Sequence, residues 1–205
     1  MPKHESLILK SEDIFILLNK LANIGWNTVR QSSINRIMYL AAVLYSFRYP
    51  DTQNIFEGDY HFSHTLRGPE DAEIENAIIH LSSNELVDHT EDGYASTSLV
   101  HIFSLPENRK VKEAWFKDIA YILGIYGEDK IFDFIFRDPE YKNSVESNSV
   151  YNLNIGSKND TVKFLNTFKE AFEKNLTKNN NILDNKDYLK LYFEYIFGKI
   201  LRGER

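Results

Sequence analysis

The sequence predicts a mainly α-helical protein with one small β-hairpin. Two observations predict this class: apolar residues recur at helical spacing along most of the chain, and a single strand–turn–strand pattern follows the third helical segment. The chain has 205 residues, of which 42% are hydrophobic and 14% aromatic, enough for a substantial core. We expect a winged-helix-like domain over 1–104 and a helical domain over 105–205, either separate or packed as one unit.

The N-terminal half begins with two helices. Ser11 is a suitable N-cap for the first helix, which ends before Gly25. Ser32 or Ser33 caps the second, and Pro50 closes it. The second helix is apolar nearly all round, which is typical of the central helix of a core.

A third helix and the hairpin complete this half. Gly68 and Pro69 open the helix, with Pro69 in its first turn. Residues 85–97 then read as two strands around a tight turn at Gly93. Helices followed by such a hairpin are the element order of a winged helix.

The C-terminal half contains only helical patterns. Helices are expected over 109–125, 128–136 and 161–174, and Asp184 caps a last one. Asp138 and Pro139 end the second of these, and the polar residues 141–159 read as a loop or linker.

Charge is distributed unevenly between the halves. The net charge is −6, and residues 1–100 carry 7 Lys and Arg against 14 Asp and Glu. Four carboxylates start the third helix, where a DNA-reading winged helix presents Arg, Lys, Asn or Gln: Glu70, Asp71, Glu73 and Glu75. Duplex readout by this helix is therefore unfavourable. Either these residues contact a protein, or they form an inert acidic surface.

Aromatic residues suggest a second binding surface in the C-terminal half. The last helix has more apolar residues than one buried face requires, so it is either enclosed by its own domain or docked on a partner. Tyr and Phe are favoured at protein interfaces. The candidate residues are Tyr121, Tyr126, Phe132, Phe136, Tyr188, Tyr192 and Tyr195.

Catalytic signatures are missing from the sequence. The chain has no Cys, no glycine-rich phosphate loop and no nucleophile elbow. His61 and His64 are three residues apart in a probable strand or loop, without an acidic ligand at matching spacing. We therefore expect no enzyme activity, cofactor or metal. No signal peptide or membrane span is apparent, so a cytoplasmic protein is expected.

Short motifs give a family resemblance. Residues 35–40 (NRIMYL), then Gly68 and Pro69, then the hairpin around Gly93 resemble two groups. One is the middle component of bacterial three-component ABC ATPase systems, such as the small subunit of Lamassu-type defence. The other is the Panacea-type antitoxin domain. The motifs cover about residues 30–100, and the chain's length and helical tail favour the middle component.

The resemblance implies a non-catalytic adaptor. Such a subunit would link an SMC-like ATPase to a nuclease or other effector in anti-phage or anti-plasmid defence, and would contact DNA only through the complex, if at all. The alternatives are an antitoxin that neutralises a toxin by direct binding, and a winged-helix DNA-binding regulator.

Overall fold

The computed structural model describes residues 3–97, 107–147, 152–175 and 183–203. These contain eight α-helices and two antiparallel pairs of short strands. The elements are α1 (Lys3–Ala22), α2 (Gln31–Arg48), β1 (Ser63–Thr65), β2 (Gly68–Glu70), α3 (Ala72–Ser83), β3 (Val87–Thr90), β4 (Gly93–Ser96), α4 (Glu107–Leu123), α5 (Glu128–Ile135), α6 (Pro139–Glu146), α7 (Asp160–Asn175) and α8 (Asn185–Leu201). The mainly helical class with a small hairpin is confirmed.

Helix α2 lies at the centre of the molecule. Every residue from Ser33 to Phe47 is buried. The helix contacts β2, α4, α5, α7 and α8. The indole Nε1 of Trp115, on α4, donates to the carbonyl of Ala41 at 2.9 Å, and both residues are inaccessible to solvent. The all-round apolar pattern of α2 thus reflects neighbours on all sides.

The helix starts without a cap from its own serines. Arg30 occupies the N-cap position and makes no side-chain cap bond. Glu128 of α5 instead accepts from the backbone N–H of Arg30 at 3.1 Å and from the hydroxyl of Ser33 at 3.0 Å. The expected cap at Ser32 or Ser33 is therefore wrong, because the helix begins at Gln31 and both serines lie in its first turn.

Helix α1 packs against both α3 and α4, and the β3–β4 hairpin follows α3. Val87 pairs with Ser96 and Thr90 with Gly93, which confirms the predicted hairpin. Val29, between α1 and α2, exchanges backbone hydrogen bonds of 2.9 Å with Tyr94 in both directions. This bridge fixes the hairpin against the first two helices.

The segment after α2 contains a second hairpin that the sequence did not predict. Strands β1 and β2 pair through His64 and Pro69, so Pro69 is a strand residue and not the first turn of a helix. Helix α3 begins only at Ala72, with Asp71 as its N-cap. Proline is compatible with this edge position because its missing N–H leaves no ladder bond unmade.

Two helix boundaries also differ from the sequence prediction. Helix α1 begins eight residues before Ser11. Ser11 is buried, and its hydroxyl bonds the carbonyl of Leu7 at 2.8 Å, one turn back. Helix α5 ends at Ile135, before Asp138 and Pro139 as expected, but these residues also start α6, where Asp138 accepts from the N–H of Tyr141 at 3.0 Å. Part of the predicted loop is therefore helical.

The hydrophobic core is continuous across both halves of the chain. Asp138 joins three elements within it: it accepts from the hydroxyl of Tyr39 on α2 at 3.0 Å and from Thr161 on α7. The expected domain boundary near residue 104 lies outside the described residues, as do residues 176–182 between α7 and α8. Within the described ranges no helix has the length and apolarity to cross a membrane.

We expect Gly93→Ala to destabilise the protein more than Gly58→Ala. Both glycines have positive φ, 140° and 93°, but a Cβ at Gly93 would lie 2.6 Å from the backbone of Val29, whereas Gly58 has open space around it. The control should lose about 1 kcal/mol from backbone strain alone, and Gly93→Ala at least about 2 kcal/mol. Urea unfolding measures both, and equal losses would contradict the close packing at Val29.

Candidate functional site

The candidate site is the acidic segment, residues 68–97, which contains α3 and the β3–β4 hairpin. No Lys or Arg occurs in the sequence between Arg67 and Arg109. The solvent-exposed residues of α3 include Glu75, Asn76 and Ile79, and the hairpin exposes Asp88, Glu91 and Asp92 among others. The exposed surface of α3 and the hairpin is therefore negative.

The four predicted carboxylates have different environments. Asp71 is buried: it accepts from the N–H of Glu73 at 2.9 Å as the α3 cap, from the N–H of His61 at 2.9 Å, and from Lys10 at 2.8 Å. The prediction that Asp71 faces a partner is therefore corrected, since it is an internal ligand of the fold. Glu70 is partly exposed, 3.9 Å from Arg67, and Glu75 is exposed.

Lys10 is a fully buried cation that binds two of these carboxylates. Its ammonium lies 2.8 Å from Asp71 and 2.8 Å from Glu73, and 5.0 Å from the centre of the Tyr60 ring. The hydrogen bond from Lys10 lowers the pKa of Glu73. Burial of a charge is tolerated only with such partners. Lys10 thus holds α3 against α1 and has no exposed charge to offer a ligand.

A second buried charge cluster joins α1 to α4. Asp13 accepts from Lys112 at 2.6 Å, from the Tyr60 hydroxyl at 3.1 Å and from Arg109 at 3.4 Å. Burial raises the pKa of Asp13, and the two cations oppose that shift. All of these groups are buried, and their contacts position α1 against α4.

The aromatic candidates divide into exposed and buried residues. Tyr188 and Tyr192 are each 2% exposed, so their predicted role as partner-facing residues is corrected: they pack against the rings of α7, at Phe168 and Phe172. Most apolar residues of α8 are enclosed by the chain's own helices. Tyr126 is partly buried and stacks on Phe197 with 3.8 Å between ring centres.

The remaining aromatic candidates lie on the surface. Tyr121 is 67% exposed, Tyr195 is 47% exposed, and Phe132 and Phe136 are both about two-fifths exposed. Phe132 and Phe136 contact each other, and the guanidinium of Arg36 lies 4.6 Å from the centre of the Phe132 ring.

Sequence reasoning missed several exposed apolar residues. Leu66, between β1 and β2, is 96% exposed, and Ile125 and Ile79 are also largely exposed. Ile79 was detectable from helical spacing, because it lies off the face that carries Ile74, Ala77, Ile78 and Leu81. Leu66 was not, because the hairpin that presents it was not predicted.

Two of the described histidines, His64 and His89, have individual partners. The ring Nδ1 of His64 lies 2.7 Å from the hydroxyl of Ser144, and His89 stacks on Tyr94. Within the described part of the chain, no group of three His, Asp or Glu side chains is placed to hold a metal ion.

Comparison with known proteins gives no relative. No protein-family model matches the chain, and no curated protein or solved structure matches it significantly.

Asp138 predicts an unusual pH dependence of stability. Burial raises its pKa to about 6, against hydrogen bonds from Thr161, Tyr141 and Tyr39. Between pH 3.8, its usual pKa, and about pH 6, Asp138 keeps its proton in the folded protein but releases it in the unfolded chain. The contribution of Asp138 to the free energy of unfolding therefore falls as pH rises through this range. Asp138→Asn should remove this pH dependence. From pH 4 to pH 7, the free energy of unfolding of the variant should rise by about 3 kcal/mol relative to that of wild type.

Urea unfolding across that pH range measures the Asp138 effect. Asp160→Asn is the matched control, because Lys163 and Asn143 lower the pKa of Asp160. Its contribution is present at high pH and lost as pH falls, so the control should show a smaller change of opposite sign. A pH-independent difference between Asp138→Asn and wild type would contradict the assignment.

Removal of the Lys10 charge should strongly destabilise the fold. Lys10→Met leaves the buried Asp71 without its cation, at a cost of about 3 to 5 kcal/mol. The control is Lys20→Met, because Lys20 also lies on α1 but pairs with Glu113 at a partly exposed position. That change should cost less than about 1 kcal/mol. Chemical denaturation of both variants is the measurement, and similar losses would contradict the role of Lys10.

Proposed function

We propose that this chain is a non-catalytic adaptor subunit that joins an SMC-like ATPase to a nuclease or other effector in anti-phage or anti-plasmid defence. The identity of the partners follows from the motif resemblance. The mode of action, binding of proteins in place of nucleic acid, is supported independently by the charge of the acidic segment.

The proposal includes a winged-helix-like arrangement of residues 3–97. Its support is the element order: α1, α2 and α3 precede a β3–β4 hairpin, and Val29 pairs with β4 at Tyr94. The β1–β2 hairpin is an addition between α2 and α3. In this arrangement α3 occupies the place of a recognition helix.

One observation carries the preference for protein binding: the acidic segment contains no Lys or Arg. Nucleic-acid binding gains most of its affinity from cations that neutralise phosphates. Lys10 of α1 is buried beside α3, and it already pairs with Asp71 and Glu73. Exposed Glu75 and the hairpin carboxylates would repel a phosphate backbone, whereas they attract a basic protein surface.

An adaptor also requires a second surface. Exposed aromatic residues in the C-terminal half supply candidates, since Tyr and Phe are enriched at interfaces. Four of the candidates reach solvent and lie away from the acidic segment in sequence: Tyr121 on α4, Phe132 on α5, Phe136 directly after α5, and Tyr195 on α8.

The direct test is co-expression of the tagged chain with the proteins encoded next to it. We expect a large coiled-coil ATPase to co-purify with the chain through size-exclusion chromatography. The isolated chain should not bind duplex DNA through α3 and the hairpin at low salt, as measured by fluorescence anisotropy, because the acidic segment contains no Lys or Arg.

Each other outcome identifies a different function. Elution of the chain alone, with the neighbouring ATPase soluble, contradicts the adaptor proposal. A small neighbour that arrests growth by itself, and that the chain neutralises, supports the antitoxin alternative. DNA binding that weakens steeply with salt supports the regulator alternative.

A further inference from the structure

A groove of about 460 Å³ lies between α1 and α3. It is lined by Leu7 from α1 and by Glu73, Asn76, Ile79 and His80 from α3. Leu7 packs partly on the core, whereas Ile79 is 57% exposed. An exposed isoleucine in a concave surface between two helices is the geometry in which an amphipathic helix docks.

The groove combines apolar contact with negative charge. None of its lining residues is Lys or Arg, and Glu73 stands at its edge with 46% of its side chain exposed. Glu75 is exposed on the same helix. Lys10 offsets only part of this charge: its buried ammonium pairs with both Asp71 and Glu73, so the three groups together keep one net negative charge. The complementary ligand is therefore apolar on one face and positively charged beside it.

We propose that this groove is the docking site for a Lys- and Arg-rich amphipathic helix of a partner protein. The apolar side of that helix packs on Leu7 and Ile79, and its cations face Glu73 and Glu75. The inference rests on the proposed function, because it specifies the chemistry of a partner that the adaptor binds.

Charge favours this occupant over others. A second copy of the chain would place one acidic α3 face against another, and like charges repel at contact distance. Nucleic acid and anionic lipid surfaces are negative as well. A basic helix satisfies both the apolar and the electrostatic character of the groove.

A designed peptide provides the first test. The probe is a fluorescein-labelled helix of about 18 residues with Leu on one face and Lys on the other, and its counterpart has Glu in place of Lys. Fluorescence anisotropy should show binding of the Lys peptide, weakening as salt is raised, and no binding of the Glu peptide. Failure of the Lys peptide to bind, or equal binding of both, overturns the proposal.

Variants then locate the site. Ile79→Lys removes the apolar anchor and adds a like charge, so the Lys peptide should bind at least about tenfold more weakly. Ile125→Lys is the matched control, because Ile125 is 70% exposed and does not line the groove. The affinity of Ile125→Lys for the Lys peptide should stay within about twofold of the wild-type affinity. Equal effects of the two substitutions overturn the proposal, and circular dichroism verifies that both variants are folded.

Neutralisation of single carboxylates separates local from general attraction. Glu75→Gln and Glu146→Gln remove the same charge, the first from α3 and the second from the exposed end of α6. Only Glu75→Gln should weaken the Lys peptide, by about threefold. Equal weakening would mean that the peptide responds to net charge alone, which overturns the assignment to the groove.

The co-purified complex distinguishes failure of the groove from failure of the adaptor function. If the ATPase or effector binds wild type and Ile125→Lys but is lost from Ile79→Lys, the groove is the docking site. If all three retain the partner, the groove proposal is overturned and the adaptor function stands. If wild type retains no partner, the adaptor function fails, and the peptide measurements alone decide the chemistry of the groove.

Discussion

The burial of α2 is the constraint on which the rest of the structure depends. A helix that is buried from Ser33 to Phe47 must be covered on every side, so elements from both halves of the chain pack around it. The buried bond from Trp115 to Ala41 and the contact of Tyr39 with Asp138 show how polar groups are satisfied where these elements meet. The surface helices are then fixed relative to this common centre.

Buried charges determine which surface remains for binding. Lys10 and Asp71 face inward and tie α3 to α1, while Asp13, Lys112 and Arg109 tie α1 to α4. The buried cations Lys10, Lys112 and Arg109 are thus paired with carboxylates inside the fold. The exposed surface of α3 and the hairpin is negatively charged and includes Ile79. The negative charge supports the adaptor proposal, and the charge together with Ile79 supports a basic amphipathic helix as the ligand of the groove.

The sequence predicted features that depend on local patterns. The helical class, the hairpin at Gly93 and the Asp184 cap follow from spacing and turn chemistry, and the structure has them. Predictions that needed tertiary information did not hold. Ser11 has the chemistry of a cap but lies inside α1. Helix α2 begins at Gln31, before the serines expected to cap it, and Pro69 belongs to a strand pair.

The candidate site shows the same limit. Composition correctly indicated an acidic segment, since charge can be counted along the chain. Burial of individual residues could not be counted in that way: Asp71, Tyr188 and Tyr192 carry side chains suited to an interface but lie inside the molecule. Ile79, which was not proposed, is exposed because it lies off the single buried face of α3.

Equilibrium unfolding with two probes tests most directly whether one core centred on α2 supports the whole molecule. The chain has two tryptophans, Trp26 between α1 and α2 and the buried Trp115 on α4, so tryptophan fluorescence reports both halves. Far-UV circular dichroism reports the helices. A shared core predicts a single urea transition with the same midpoint by both probes. Two separated transitions, or midpoints that differ between the probes, would contradict it.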